Sequence, residues 1–301
     1  MYLIKQLRYL FKIRKLWLYL YLLKAILSFL ITLPFYMTFN SDLAQSLFSK
    51  TIARSWDMSV ILELLSHSEN FIPTYIMVLF IGGIIFLALM QFLNGGLYYV
   101  IVSGKSDKIN WGEFYAECGK NFGTHLKITL LMALVYLILI PAGMFLVNAI
   151  SMIGGRLLGT AALIMSMIQL LILTLILLAA STFSDIARAT STAFPNKAFG
   201  EMLKIAADYF RPRMFRLVKY FIITWIPFFI IWMAVESLSL GVIGLSLGLF
   251  GIVGEFLLFQ ISAVARTGQK LWYLLIIGND YRKINPGRFQ PEQVELNLSE
   301  K

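Results

Sequence analysis

One cysteine and two histidines are all the thiol and imidazole chemistry that this 301-residue chain offers. Cys118 alone builds neither a disulfide framework nor a cysteine metal site. His67 and His125 fall on opposite sides in the topology derived below, so they supply no shared metal centre and no catalytic pair. HExxH, GxSxG and a glycine-rich phosphate loop are missing; Gly104-Lys105-Ser106 is the nearest fragment and lacks the upstream glycine. No catalytic residue, metal site or cofactor is expected. Charge is scarce too: charged residues make up 14% of the chain and apolar ones 59%, with a mean hydropathy of +0.77. These values place the chain among polytopic membrane proteins.

Six apolar runs are long enough to cross a bilayer as helices, at about 16–39, 75–102, 128–153, 157–183, 217–236 and 240–264. The expected fold is all-α, one six-helix membrane domain over 1–284, followed by a polar tail, 285–301, that opens with Asn285-Pro286-Gly287. The net charge of +10 is explained by topology. Lys and Arg number 22 in residues 1–15, 103–127, 184–219 and 265–301, against 3 in the remaining connections, with Lys24 left inside a span. The positive-inside rule then sets both termini on the cytoplasmic side of a cell membrane. The partners implied are the bilayer and its anionic headgroups, with no role for nucleic acid. The first span is too long for a signal h-region and lacks a small-residue cleavage pattern, so an uncleaved anchor is expected.

Residues 1–15 alternate apolar and basic groups, the pattern of an amphipathic helix at the inner leaflet, and Trp17, Tyr19 and Tyr21 follow at headgroup level. The mildly acidic segment 40–72 is the long outer connection, either a plain surface linker or a cap that receives a substrate. Trp111-Gly112-Glu113 and Phe122 match Phe199-Gly200-Glu201 and Phe210 at a constant offset of 88, each followed by a span with one proline, Pro141 or Pro227. Ile186-Ala187-Arg188-Ala189-Thr190 is similar to Val264-Ala265-Arg266-Thr267-Gly268. The chain therefore reads as three parallel two-span units, each led by a cytoplasmic amphipathic helix.

Inside the spans, polar groups gather at one level. Glu255 lies about 13 Å and Lys24 and Asn94 about 12 Å from the cytoplasmic ends at 1.5 Å per residue. Gln91, Asn94 and Tyr98 form one stripe of the second span. Gly241, Gly244, Gly248, Gly251 and Gly254 share a sector of about 140° with Glu255, a face for close backbone approach. Two readings follow. Glu255 is a proton or cation site in a polar cavity, or it pairs with Lys24 and locks the packing.

Asp185-Ile186-Ala187-Arg188 is similar to half of the CDP-alcohol phosphotransferase signature, but the downstream pair of spaced aspartates is absent. The same residues, with the amphipathic stretch through Phe210 behind them, resemble a loose group of bacterial six-span membrane proteins, some related to the membrane domain attached to glycerophosphodiester phosphodiesterases. The resemblance implies a prokaryotic cytoplasmic membrane and supplies no active site. A permease-like or transport-associated component is the leading expectation. The alternative is a structural or assembly partner that packs against other membrane proteins.

Overall fold

A computed structural model describes residues 2–43, 71–104, 109–154, 160–244 and 249–284. The expected outer connection, apart from its first few residues and Phe71 and Ile72, and the polar tail lie outside the described residues, as does Gly248. What is described is helical apart from short connections such as 194–198, with no strand among the described residues. In chain order the helices are α1 (Tyr2–Lys12), α2 (Arg14–Leu43), α3 (Phe71–Ser103), α4 (Trp111–Gly154), α5 (Thr160–Ala193), α6 (Phe199–Phe210), α7 (Met214–Gly244) and α8 (Leu249–Ile284). A 3₁₀ turn, Arg211–Arg213, joins α6 to α7.

Five stretches are long and apolar enough to cross a membrane: Arg14–Pro34, Ile76–Ser103, Trp111–Leu146, Ile164–Ala193 and Phe199–Ser239. Large apolar side chains stand exposed along them, Leu137 at 70% and Phe145 at 76%. Such surfaces suit lipid as the solvent and mark an integral membrane protein.

Two boundaries differ from the expected ones. A turn was expected at 237–240, but α7 runs through it to Gly244. Nothing there breaks a helix: Ser237 Oγ donates to the Met233 carbonyl one turn back, 2.8 Å away, and no proline follows. Gly241 and Gly244 therefore close α7, whereas Gly251 and Gly254 belong to α8, so the expected face of five glycines on one helix is divided between two. The second difference is at α4, which is one 44-residue helix and not an amphipathic helix followed by a separate span.

The chain forms two compact units, residues 18–90 and residues 1–17 together with 91–301. In the smaller, Gly82 of α3 lies against Ile31 of α2. The larger has its core where the C-terminal turns of α3 and α5 meet the N-terminal turns of α4 and α7 and the C-terminal half of α8. Phe114, Cys118, Ile128, Ile186, Leu217 and Tyr273 are buried there. The sequence reading ended its last span at 264. Instead, α8 continues to Ile284, and Leu271 to Ile277 are buried on every side. A helix that is apolar all round belongs in a core, and this one runs through the middle of the unit.

Gly95 and Gly96 allow a close helix approach in that core. A Cβ on Gly96 would stand 2.6 Å from the Phe114 carbonyl oxygen, and one on Gly95 2.9 Å from those of Glu117 and Cys118. Backbone cannot yield as a side chain tip can, so α3 meets α4 only because both residues lack a side chain.

Candidate functional site

Among the described residues, Asp185 is the carboxylate that the core encloses, at 2% exposure. It sits on α5, one turn before Arg188, in a stretch whose neighbours Thr182, Ser184, Ile186 and Ala187 are also buried. A lone carboxylate there would cost several kcal/mol in desolvation, so its partners decide whether the fold tolerates it. Tyr98 of α3 donates its hydroxyl to Oδ1 at 2.7 Å. Lys270 of α8 forms an ion pair with Oδ2. Arg188 Nη1 lies 3.7 Å from Oδ1. Arg188 Nη2 donates onward to Thr129 Oγ1 of α4 at 3.1 Å. One carboxylate thus ties α3, α5 and α8 directly and α4 through the guanidinium.

The surroundings are organised to hold this geometry. The Tyr98 and His125 rings meet edge to face at 5.5 Å, and Thr192 Oγ1 is 3.3 Å from His125 Nε2. Tyr273 donates to Thr182 Oγ1 at 3.0 Å; burial raises its phenol pKa, which keeps the donor proton in place. The Lys270 ammonium lies 5.7 Å over the Tyr273 ring. Two cations face one carboxylate, and the surplus positive charge is relieved through Lys270, whose side chain is 38% exposed. A second polar joint, Arg216 Nη2 to Asp280 Oδ2 at 2.6 Å with Tyr209 on the same oxygen at 3.4 Å, fixes α7 and α6 to α8.

Of the residues singled out from the sequence, Tyr98 belongs to this cluster. Gln91 is buried, and Asn94 Nδ2 donates to Gln91 Oε1 at 3.3 Å within α3. Lys24 is half-buried on α2 in the smaller unit. Glu255 lies in α8, and its side chain is outside the described residues. Sequence reasoning missed Asp185 and Lys270. Asp185-Ile186-Ala187-Arg188 was noticed only as a motif fragment, while Lys270 and Arg188 were counted as topology anchors. The available signal was Asp185 and Arg188 at i, i+3 on an otherwise uncharged face.

Each Asp185 oxygen already accepts a hydrogen bond or ion pair, which suits a joint between helices more than a catalytic base. Among the described residues, no three His, Cys, Asp or Glu side chains come together as a metal site. No family model matches the chain, and no curated protein or solved structure matches it either.

Proposed function

We propose that this chain is a six-span protein of the cell membrane, without catalytic activity of its own, that serves as a structural and assembly partner of other membrane proteins. The observation that carries this reading is the engagement of Asp185 by Tyr98, Arg188 and Lys270 from three helices. Buried charge in a membrane protein marks either a path or a joint. A carboxylate met on both oxygens supports the joint. Membrane-facing surfaces are then left as the working part of the molecule.

The three-unit organisation belongs to the same proposal. Phe114, Cys118 and Asn121 of α4 are buried, and 88 residues on so are Met202, Ala206 and Tyr209 of α6. Cytoplasmic termini rest on the 22-to-3 distribution of basic residues. Cysteines placed at positions 50 and 197 should be labelled in intact cells at the first and not the second; the opposite pattern would invert the orientation.

A transport-associated role draws on one different observation, the 38% exposure of Lys270, which brings solvent to one side of a buried carboxylate. A double-mutant cycle separates the two roles. Asp185→Asn leaves Arg188 and Lys270 without their anion and should cost about 3 kcal/mol or more. Lys270→Met should cost less, about 1–2 kcal/mol, because Arg188 remains and Lys270 is partly solvated. In a joint the double variant loses clearly less than the sum of the two in thermal unfolding. Additive losses, together with ion flux in proteoliposomes that Asp185→Asn abolishes, would replace the assembly role with transport.

A further inference from the structure

Beside the polar core the larger unit carries a groove of about 620 Å³ whose walls come from α1, the start of α2, α7 and α8. Leu7, Leu10 and Phe11 supply one wall, and Pro227, Ile261 and Ala265 lie among the residues of the others. The groove is nearly all apolar: its polar side chains include Thr224 and Gln269, which bond to each other at 3.1 Å, and Trp17, whose indole N–H is taken by the Val264 carbonyl at 2.9 Å. It opens sideways, past Leu257 and Ile261, which are more than half exposed. On the six-span reading proposed above, this part of α8 lies in the bilayer, and the medium at the opening is then lipid.

We infer that this groove holds one acyl chain of an anionic phospholipid, with the headgroup phosphate against the basic side chains of α1 and the first turn of α2. Three observations select this occupant. A partner's helix is about 10 Å across with its side chains, so the volume takes only roughly one and a half turns of it, whereas a polymethylene chain is one carbon wide. Trp17 rests against Gly268 at the start of α2, and tryptophan at a helix end sits at headgroup depth. Arg8, Arg14 and Lys15 are exposed, and Arg8 precedes Phe11 of the groove wall by one turn. Lipid tails outside are as apolar as the groove, so burial alone retains nothing. The phosphate must supply the preference, and the exposed Arg8, Arg14 and Lys15, on the two helices that give the groove Leu7, Leu10, Phe11 and Trp17, are suited to it.

Native mass spectrometry of the full chain, purified in mild detergent and offered dioleoyl phosphatidylglycerol or dioleoyl phosphatidylcholine, tests the inference. The wild type should keep one phosphatidylglycerol per chain under activation that strips phosphatidylcholine. Ala265→Phe, which fills the groove, should lower that occupancy at least about fivefold. Arg8→Gln, Arg14→Gln and Lys15→Gln together should cut the preference for the anionic lipid roughly tenfold while leaving the groove intact. If Ala265→Phe does not give a monodisperse protein, Ile261→Phe at the groove edge is read instead. Equal retention of both lipids by the wild type, or unchanged occupancy in the filled variant, overturns the inference. A two-chain species that the filled variant abolishes also overturns it, because the occupant would then be a second copy.

Discussion

Two stretches of this protein begin alike and end differently. Trp111-Gly112-Glu113 opens α4 and Phe199-Gly200-Glu201 opens α6, and from each start the residues buried are the fourth, eighth and eleventh. Each stretch also places its later phenylalanine edge to face against the preceding helix, Phe122 on Phe92 and Phe210 on Phe183. The starts are held differently. Asn110 caps α4 by accepting the Gly112 N–H at 3.0 Å, whereas Ala198 gives α6 no side-chain cap, and a Lys197–Glu201 ion pair at 3.1 Å spans its first turn. Further on, α4 continues unbroken into its membrane stretch, but α6 stops at the 3₁₀ turn around Pro212. Equal burial patterns therefore do not impose equal continuity. Pro212 contributes at this joint by removing a backbone N–H and crowding the carbonyl four residues back, although Pro141 sits inside α4 without breaking it.

The largest test of that contrast moves the proline. Thr124 stands 88 residues before Pro212, inside the unbroken part of α4. Thr124→Pro should cost about 3 kcal/mol or more, since α4 has no prepared turn to receive it and His125, next in the chain, is fully buried. Thermal unfolding in detergent checks it, and a loss under about 1 kcal/mol would mean that α4 bends there as readily as the α6–α7 joint. A smaller effect probes the packing. Gly96→Ala places a methyl group 2.6 Å from the Phe114 carbonyl oxygen and should cost about 1–3 kcal/mol, while Gly119→Ala on the same α4, where a Cβ meets nothing within 4 Å, should be neutral or stabilise by up to about 1 kcal/mol. Equal melting of the two variants would show that the α3–α4 approach is loose.

The parts legible in the sequence were those written in periodicity and local chemistry. Long apolar runs announced the helices, and the stripe of Gln91, Asn94 and Tyr98 announced an inward face on α3. Partnership over distance was not legible. Asp185 and Lys270 are separated by 85 residues and meet only because α5 and α8 lie side by side; nothing local distinguishes Lys270 from a basic residue at a membrane edge. The glycines misled for the same reason. Five of them in 241–254 looked like one packing face, yet they fall on two helices, whereas Gly95-Gly96, not singled out, lets α3 approach α4 because Phe114 lies opposite. The buried run Leu271–Ile277 escaped because a basic residue at 266 was read as the end of the apolar segment, and a core outside the membrane stretch has no length rule to signal it.

The smallest effect sharpens the contrast from the other side. Backbone dihedrals flanking the 3₁₀ turn are already helical, φ −69° and ψ −49° at Phe210 and φ −48° and ψ −54° at Met214. The chain path at the joint is thus close to that of a continuous helix, and what differs is the hydrogen bonding. Arg213 compensates: its Nη1 donates to the Tyr209 carbonyl at 3.2 Å, and its guanidinium lies 4.8 Å over the Tyr209 ring. Pro212→Ala restores an N–H where an α-helix would direct it at the Asp208 carbonyl, a gain opposed by the greater freedom that alanine gives the unfolded chain. The two terms are of similar size, so stability should move by less than about 1 kcal/mol while amide exchange at residues 213–215 slows. Exchange as fast as in the wild type would assign the joint to the grip of Arg213 on Tyr209, and the two stretches would then differ by tertiary contact and not by one proline.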